Sequence, residues 1–377
     1  MEIKKLGFGC MRLPLKDAEK QDSVDMDQMK KMVDIFMSKG FSYFDTAWMY
    51  HDFKSENFLK EALVDRYPRE SYQVADKLPI MMMKDSDDPS EIFEKQLGKC
   101  GLDFFDVYLI HNINIENYKK AEGRNCFEMV SKKKAEGKAV KIGFSYHADA
   151  ELLERVLTEH PEVDVVQLQL NYLDWNNERI QSGRCYDIAR AHGKEIIVME
   201  PVKGGSLAAL PEDAEKILND AAPHMSPASW AIRFAAGLDG VITVLSGMSD
   251  LDQLKDNLSY MEDFKPLSED ENKTLHKTVD EINSSIAIPC TACRYCVKEC
   301  PQEIAIPEFF SLYNSREQSI EQDFYAESAY YDDYIRTHSK ASDCIKCGRC
   351  EKACPQHLEI IAGLEKVAEI FEPKKAE

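Results

Sequence analysis

From the first residues to about position 265, short apolar runs alternate with amphipathic stretches. The runs "LGFGCM", "FSYFD", "YQVADKL", "DVYLIH", "AVKIGFS", "DVVQLQLNY", "EIIVME" and "VITVLSGM" read as strands. The segments between them carry helical spacing, as in "DQMKKMVDIFMSKG", "SEIFEKQLGKCG" and "DAELLERVLTEH". The first of these closes on Gly40, where a glycine ending a helix is expected. Strands rich in Val and Ile that alternate with helices imply a parallel sheet. About eight such units fit the length, which is the count of a (β/α)8 TIM barrel. A doubly wound nucleotide fold would place G-x-G-x-x-G after its first strand. "GFGCMR" has only the first two glycines, which favours the barrel.

The remainder of the 377 residues reads differently. Residues 1–265 are assigned to the barrel, 266–285 to a linker and 286–377 to a small, partly helical C-terminal domain. That last part begins with Cys290, Cys293, Cys296 and Cys300 in the pattern C-x2-C-x2-C-x3-C-P, closed by Pro301. Cys344, Cys347, Cys350 and Cys354 repeat it, closed by Pro355. Zinc sites usually draw on separated pairs of ligands. Three cysteines at steps of three with a detached fourth instead suit the corners of a [4Fe–4S] cubane, the fourth serving the other cluster. Cys290, Cys293, Cys296 and Cys354 are therefore expected to hold one cluster, and Cys344, Cys347, Cys350 and Cys300 the other. The segment resembles bacterial two-cluster ferredoxin domains, apart from a long spacer from Gln302 to Asp343 that is expected to hold helices.

A formal net charge of −20 argues against nucleic acid or an anionic membrane as partner. No apolar run approaches the ~20 residues of a membrane span, and the first residues lack the apolar core of a signal peptide. A cytoplasmic location is expected, where thiols stay reduced: the twelve cysteines are then not disulfides, the clustered eight point to metal, and Cys10, Cys100, Cys126 and Cys185 read as buried structural thiols.

Barrel enzymes place their chemistry where strands end. Asp45, Lys77, His111 and Ser145 stand at the ends of the second to fifth strand runs. With these positions, "FSYFDTAWMYHDFKSENFLKEAL", "ADKL", "LIHN", "KIGFSYH" and "VLSGMSDLDQLKDNL" resemble the aldo-keto reductases over roughly residues 1–265. The resemblance implies hydride transfer between a nicotinamide dinucleotide, NAD(P)H, and a small-molecule carbonyl or alcohol. It places the catalytic tetrad on Asp45, Tyr50, Lys77 and His111. Tyr50 would donate the proton, and Lys77 beside it would lower the phenol below its usual value near ~10. Asp45 would keep Lys77 charged, and His111 would orient the substrate oxygen. The same resemblance puts Ser145 and Gln167 on the carboxamide and Met199 in the place of the usual aromatic stack. Met248, Gln253 and Asn257 are expected around the rest of the dinucleotide. NADPH-preferring members carry Lys and Arg near the 2′-phosphate. Here Gly247 and Gln253 stand there, with Asp250, Asp252 and Asp256 close by and Lys255 compensating in part, so NADH and NADPH both stay open.

A hydride carries two electrons, whereas each cluster takes one. Either the clusters relay electrons between an external carrier protein and a redox group in the barrel, with flavin open as that group, or they brace a C-terminal cap. Alternatives to the carbonyl reductase are an electron-transfer or redox-sensing module on an inherited barrel, and a cluster-fed reductase of another activated bond.

Overall fold

A computed structural model describes residues 4–177, 180–284, 286–290, 292–317, 326–354 and 356–372. The chain divides into two compact units, one of residues 1–202 and 224–272, the other of 203–223 and 273–377.

The first unit is built on eight parallel strands: β1 (Leu6–Gly9), β2 (Tyr43–Asp45), β3 (Gln73–Leu78), β4 (Phe105–Ile113), β5 (Ala139–Tyr146), β6 (Val165–Gln169), β7 (Glu195–Met199) and β8 (Val241–Ser246). They pair in chain order, and β8 closes on β1 to complete the barrel. Each of the eight runs read as strands overlaps one of these elements. Side chains alternate between the two faces of a strand. The even-numbered residues Phe44, Val74, Phe144, Val166 and Val198 join the large core of buried apolar side chains that includes Met32 and Phe36 of the helices. The odd-numbered Tyr43, Ala75, Leu109, Val165, Ile197 and Leu245 form a separate cluster, the plug of the barrel lumen. At Gly143 an added Cβ would stand 1.8 Å from the Val165 carbonyl oxygen, so only glycine allows β5 and β6 to lie this close.

Local chemistry sets the helix ends. Asp25 caps the helix Met26–Ser38 by accepting the Gln28 N–H, and Met29, Met32, Val33 and Phe36 are its buried face. The helix stops at Gly40, whose φ of 78° suits glycine. Asp88 and Asp149 cap the helices Pro89–Cys100 and Ala150–Glu159 in the same way.

The second unit is helical: Glu212–Ala221, Tyr295–Glu299, Ile306–Glu317, Ala326–Tyr334, Arg349–Ala353 and Ile360–Phe371. The helix Glu269–Ser284 runs through the expected linker. The spacer between the cysteine runs contributes two of these helices; residues 318–325 within it, and Pro355, lie outside the described residues. Backbone geometry repeats with the sequence. Left-handed residues at Ala292, Arg294 and Glu303 recur at Lys346, Gly348 and His357, the same offset of 54 that separates Cys290 from Cys344. The helices that follow, starting at Ile306 and Ile360, keep that offset and pack together, Gly363 making room for the Phe310 ring. Phe309, Phe310, Tyr331, Ile360, Leu364 and Val367 form the core. Residues 203–223 are tied to these helices through buried Lys203, whose Nζ donates to Ser315 Oγ at 2.7 Å and lies 3.6 Å from Glu327. Among the described residues no helix is long and apolar enough to cross a membrane.

Candidate active site and cysteine pockets

Strand parity brings the polar residues of β2 to β6 to one place. Asp45, Lys77, His111, Ser145 and Gln167 all share the odd parity of the apolar plug, one step further along each strand. Lys77 is 1% exposed, and its Nζ donates to Asp45 Oδ1 at 2.5 Å and to the Thr46 carbonyl at 2.8 Å. It also reaches the Tyr50 hydroxyl at 3.4 Å. The His111 imidazole meets the Tyr50 ring edge-on, with centroids 6.1 Å apart. Tyr50 follows β2 on a short turn in which His51, Asp52 and Phe53 all take positive φ, a conformation costly for residues with a side chain. His51 holds that turn in place. Its Nδ1 lies 2.7 Å from the Gln21 carbonyl and its Nε2 accepts the Leu13 N–H at 3.3 Å.

Burial dominates the electrostatics. The Tyr50 phenol is pushed above its usual range by desolvation, and the Lys77 cation offsets this only in part while Asp45 and Glu200 add to it. This differs from the expectation that Lys77 would lower the phenol. The cation acts in that direction, but the loss of water outweighs it. Burial alone would lower Lys77, yet Asp45 and Tyr50 more than reverse this, so its pKa is raised and the ammonium persists. Asp45 is raised by desolvation, with Lys77 and Gln167 pulling it down. Burial and the Lys77 charge drive His111 well below the ordinary histidine value, so its ring is neutral. His147, at the end of β5, is lowered to about 4 by the same two causes.

The residues expected around a dinucleotide are placed unevenly. Gln167 Nε2 donates to Asp45 Oδ2 at 3.1 Å, and Ser145 Oγ accepts the Asn112 N–H at 2.8 Å. Met199 ends β7 half-buried. Met248 is 1% exposed and packs into the outer core rather than toward solvent. Asn257 has both amide atoms engaged, with Ser246 Oγ at 2.6 Å and the Tyr260 hydroxyl at 2.5 Å. Gln253 is exposed, and its Oε1 accepts the Ser249 N–H. Asp250 caps the helix Leu251–Met261, so a carboxylate already occupies that N-terminus.

Behind Lys77 lies a polar layer that sequence reasoning missed. Lys77 donates its backbone N–H to Asp76 Oδ1 at 2.8 Å, and its carbonyl accepts Gln96 Nε2 at 3.0 Å. Gln96 also bonds buried Glu56 and the Tyr108 hydroxyl, and Glu56 pairs with Lys99. Burial and the neighbouring Glu56 raise Asp76 well above the carboxylate range. The only signal in the sequence was a carboxylate on the outward-facing parity of an otherwise apolar strand.

The eight clustered cysteines gather in two hollows. Cys290, Cys293, Cys296 and Cys354 line one, and Cys300, Cys344, Cys347 and Cys350 line the other. Each hollow therefore takes three sulfurs from one run and the fourth from the other, with apolar walls such as Ile306 and Phe310 around the first. Crowding is costly without a cation. Burial and the neighbouring Cys290, Cys293 and Cys350 push the Cys296 thiol up to about 12, and burial takes Cys350 to about 11. The donor set, four convergent thiols in an apolar cup, fits an iron–sulfur cubane. Cys10, Cys100, Cys126 and Cys185 are buried elsewhere.

A closed parallel barrel with this lysine-centred constellation defines a class of barrel oxidoreductases. The profile of the aldo/keto reductase family matches residues 5–280, and that of the 4Fe-4S dicluster domain matches residues 289–359. The chain belongs to the aldo/keto reductase family and carries an iron–sulfur domain at its C-terminal end. It is 22% identical over 308 residues to the uncharacterized oxidoreductase YqkF of Bacillus subtilis, covering 73% of this chain and 92% of that protein. Its barrel is similar to the holo form of aldo-keto reductase AKR11C1 from Bacillus halodurans, with a TM-score of 0.58, 23% identity and coverage of 73% and 91%. It is also similar to an aldo-keto reductase from Klebsiella pneumoniae in complex with NADPH, with a TM-score of 0.56, 17% identity and coverage of 73% and 90%. At these identities the structural likeness speaks for the fold.

Proposed function

We propose that residues 1–265 interconvert carbonyl and alcohol groups of a small molecule with NAD(P)H, that 266–285 link this barrel onward, and that 286–377 hold two [4Fe–4S] clusters. The dinucleotide, when bound, supplies the hydride. Tyr50 supplies the proton. Burial keeps it a phenol at neutral pH, so the donor stands loaded, and the Lys77 ammonium 3.4 Å away stabilises the phenolate left behind. Asp45 orients that ammonium and keeps it charged. His111, neutral and edge-on to the phenol, directs the substrate oxygen. Ser145, Gln167 and Met199 line the nicotinamide end; Met248, Gln253 and Asn257 belong to its far end. The observation that carries this reading is the convergence of Asp45 and Tyr50 on one buried lysine nitrogen. Replacing Tyr50 with phenylalanine tests it.

The clusters relay single electrons between an external carrier protein and the redox group of the barrel. Flavin is the group that joins one-electron to two-electron chemistry. Optical and EPR spectra of anaerobically purified protein, with extraction of bound cofactors, test this part: clusters that stay oxidised in the presence of NAD(P)H and substrate, with no flavin, refute it. The buried tie from Lys203 to Ser315 and Glu327 favours a second role, in which the helices of the spacer between the cysteine runs brace the segment that begins at Lys203.

A further inference from the structure

We infer that the loop of residues 344–350, with the start of the helix Arg349–Ala353, is the docking face for an acidic one-electron carrier protein. The inference rests on the proposed cluster at Cys300, Cys344, Cys347 and Cys350.

Acidic residues outnumber basic ones 67 to 47 in this chain. Residues 344–350 reverse that balance, with Lys346 and Arg349, no acid, and Lys352 just beyond. All three basic side chains are exposed. Two acids flank the loop: Glu351 accepts the Ile361 N–H at 2.9 Å, and the exposed Asp343 accepts the Lys340 N–H at 2.9 Å. Lys346 pairs with Glu365 at 2.6 Å, but both side chains are more than half exposed, and such pairs exchange partners at little cost. Lys352 has no ion pair among the described residues.

Two further features belong to the same loop. Ile345 is 58% exposed, a large apolar side chain left in water. Cys347 is exposed, so its sulfur is a short path from the hollow to the surface. An exposed apolar side chain on a loop where basic residues prevail matches the anatomy of a docking patch, the charge setting encounter rate and orientation. By the offset of 54, Lys298 of the first repeat matches Lys352, but there the exposed Glu299 follows it and Arg294 is bound to buried Glu308, so the second loop is the more basic of the two.

In the transfer, an acidic flavodoxin in its anionic hydroquinone state loses one electron and becomes the neutral semiquinone. The oxidised cluster gains that electron, and no proton moves.

The test is anaerobic stopped-flow bleaching of the clusters by flavodoxin hydroquinone, set beside reduction by the methyl viologen radical cation. It is run on wild type, Lys346→Glu and Lys352→Glu. Raising salt from about 0.05 to about 0.5 M should slow the flavodoxin reaction about tenfold, and each variant should slow it severalfold at low salt. Viologen reduction should not slow in the variants, whose added negative charge does not repel the viologen cation. Carbodiimide should join Lys346 or Lys352 to the carrier's carboxylates. Flavodoxin reduction indifferent to salt in wild type, or cross-links confined to lysines of the barrel, overturns the docking face. Protein without iron, or with clusters that viologen cannot reduce, overturns the cluster reading itself and the inference with it.

Discussion

Replacing Asp45 with asparagine strands a charge. Lys77 and Asp45 are 1% and 4% exposed at the side chain and 2.5 Å apart. Removing one partner of a buried pair leaves the other without compensation, at a cost of about 3–5 kcal/mol. The Thr46 carbonyl at 2.8 Å still accepts from Nζ, so the loss should fall near the lower end, about 3 kcal/mol. In a domain of this size that lowers the melting temperature by about 6–12 °C. The pH dependence gives a second signature. Without Asp45 the buried ammonium falls below the ~10.4 of the unfolded chain. The unfolded chain then binds more protons, and stability rises with pH in that window. In the intact pair Lys77 is raised instead, so its contribution is complete below the unfolded value and lost only above it. The assay is thermal unfolding by far-UV circular dichroism, under anaerobic conditions, at pH 7 and at about pH 9.5. The gap between variant and wild type should narrow at the higher pH. A loss under about 1 kcal/mol at pH 7, or a gap that does not narrow, refutes the reasoning.

Burial holds both His111 and His147 below the free histidine value, so the stability they contribute is present above ~6.5 and lost as pH falls through it. In chemical denaturation, His147→Gln should lose about 1 kcal/mol less stability than wild type between pH 7 and pH 5.5, a difference in which the opposing contribution of the raised Asp76, common to both proteins, cancels. Gly143→Ala should leave little soluble, folded barrel, because its Cβ would stand 1.8 Å from the Val165 oxygen; expression with circular dichroism checks this. Cys354→Ser should abolish the cluster of the first run rather than the second, cutting iron from about eight to about four per chain by metal analysis. Loss of the Cys344–Cys347–Cys350 cluster instead would reverse the proposed wiring.

Much of the architecture was legible in the sequence for physical reasons. Strands as short as Tyr43–Asp45 showed as apolar runs because both faces of a barrel strand are covered. The sharing of cysteines between runs followed from the doubled C-x2-C-x2-C-x3-C-P pattern, the signature of two-cluster ferredoxins. Asp45, Lys77, His111 and Ser145 stood out because polar residues at the ends of apolar strands have few other reasons to be there; Tyr50 was legible only through the family resemblance. What escaped depends on distance in space. The net shift of Tyr50 is a contest between desolvation and one cation, and only the folded environment sets the first. Glu56, Asp76 and Gln96 come from three elements that meet only when β3 is covered by its helices. His51 read as an ordinary loop residue until its two ring nitrogens were seen to fasten the turn beneath Tyr50.

The central claim is that Tyr50 delivers the proton from a phenol supported by Lys77. Turnover of a panel of aldehydes and ketones with NADH and NADPH, compared between wild type and Tyr50→Phe, tests it most directly. The account predicts a loss of about 10²–10⁴-fold in the variant, with nicotinamide binding by fluorescence and cluster spectra unchanged. Turnover within about threefold of wild type, in a variant that is folded and binds the dinucleotide, would contradict it.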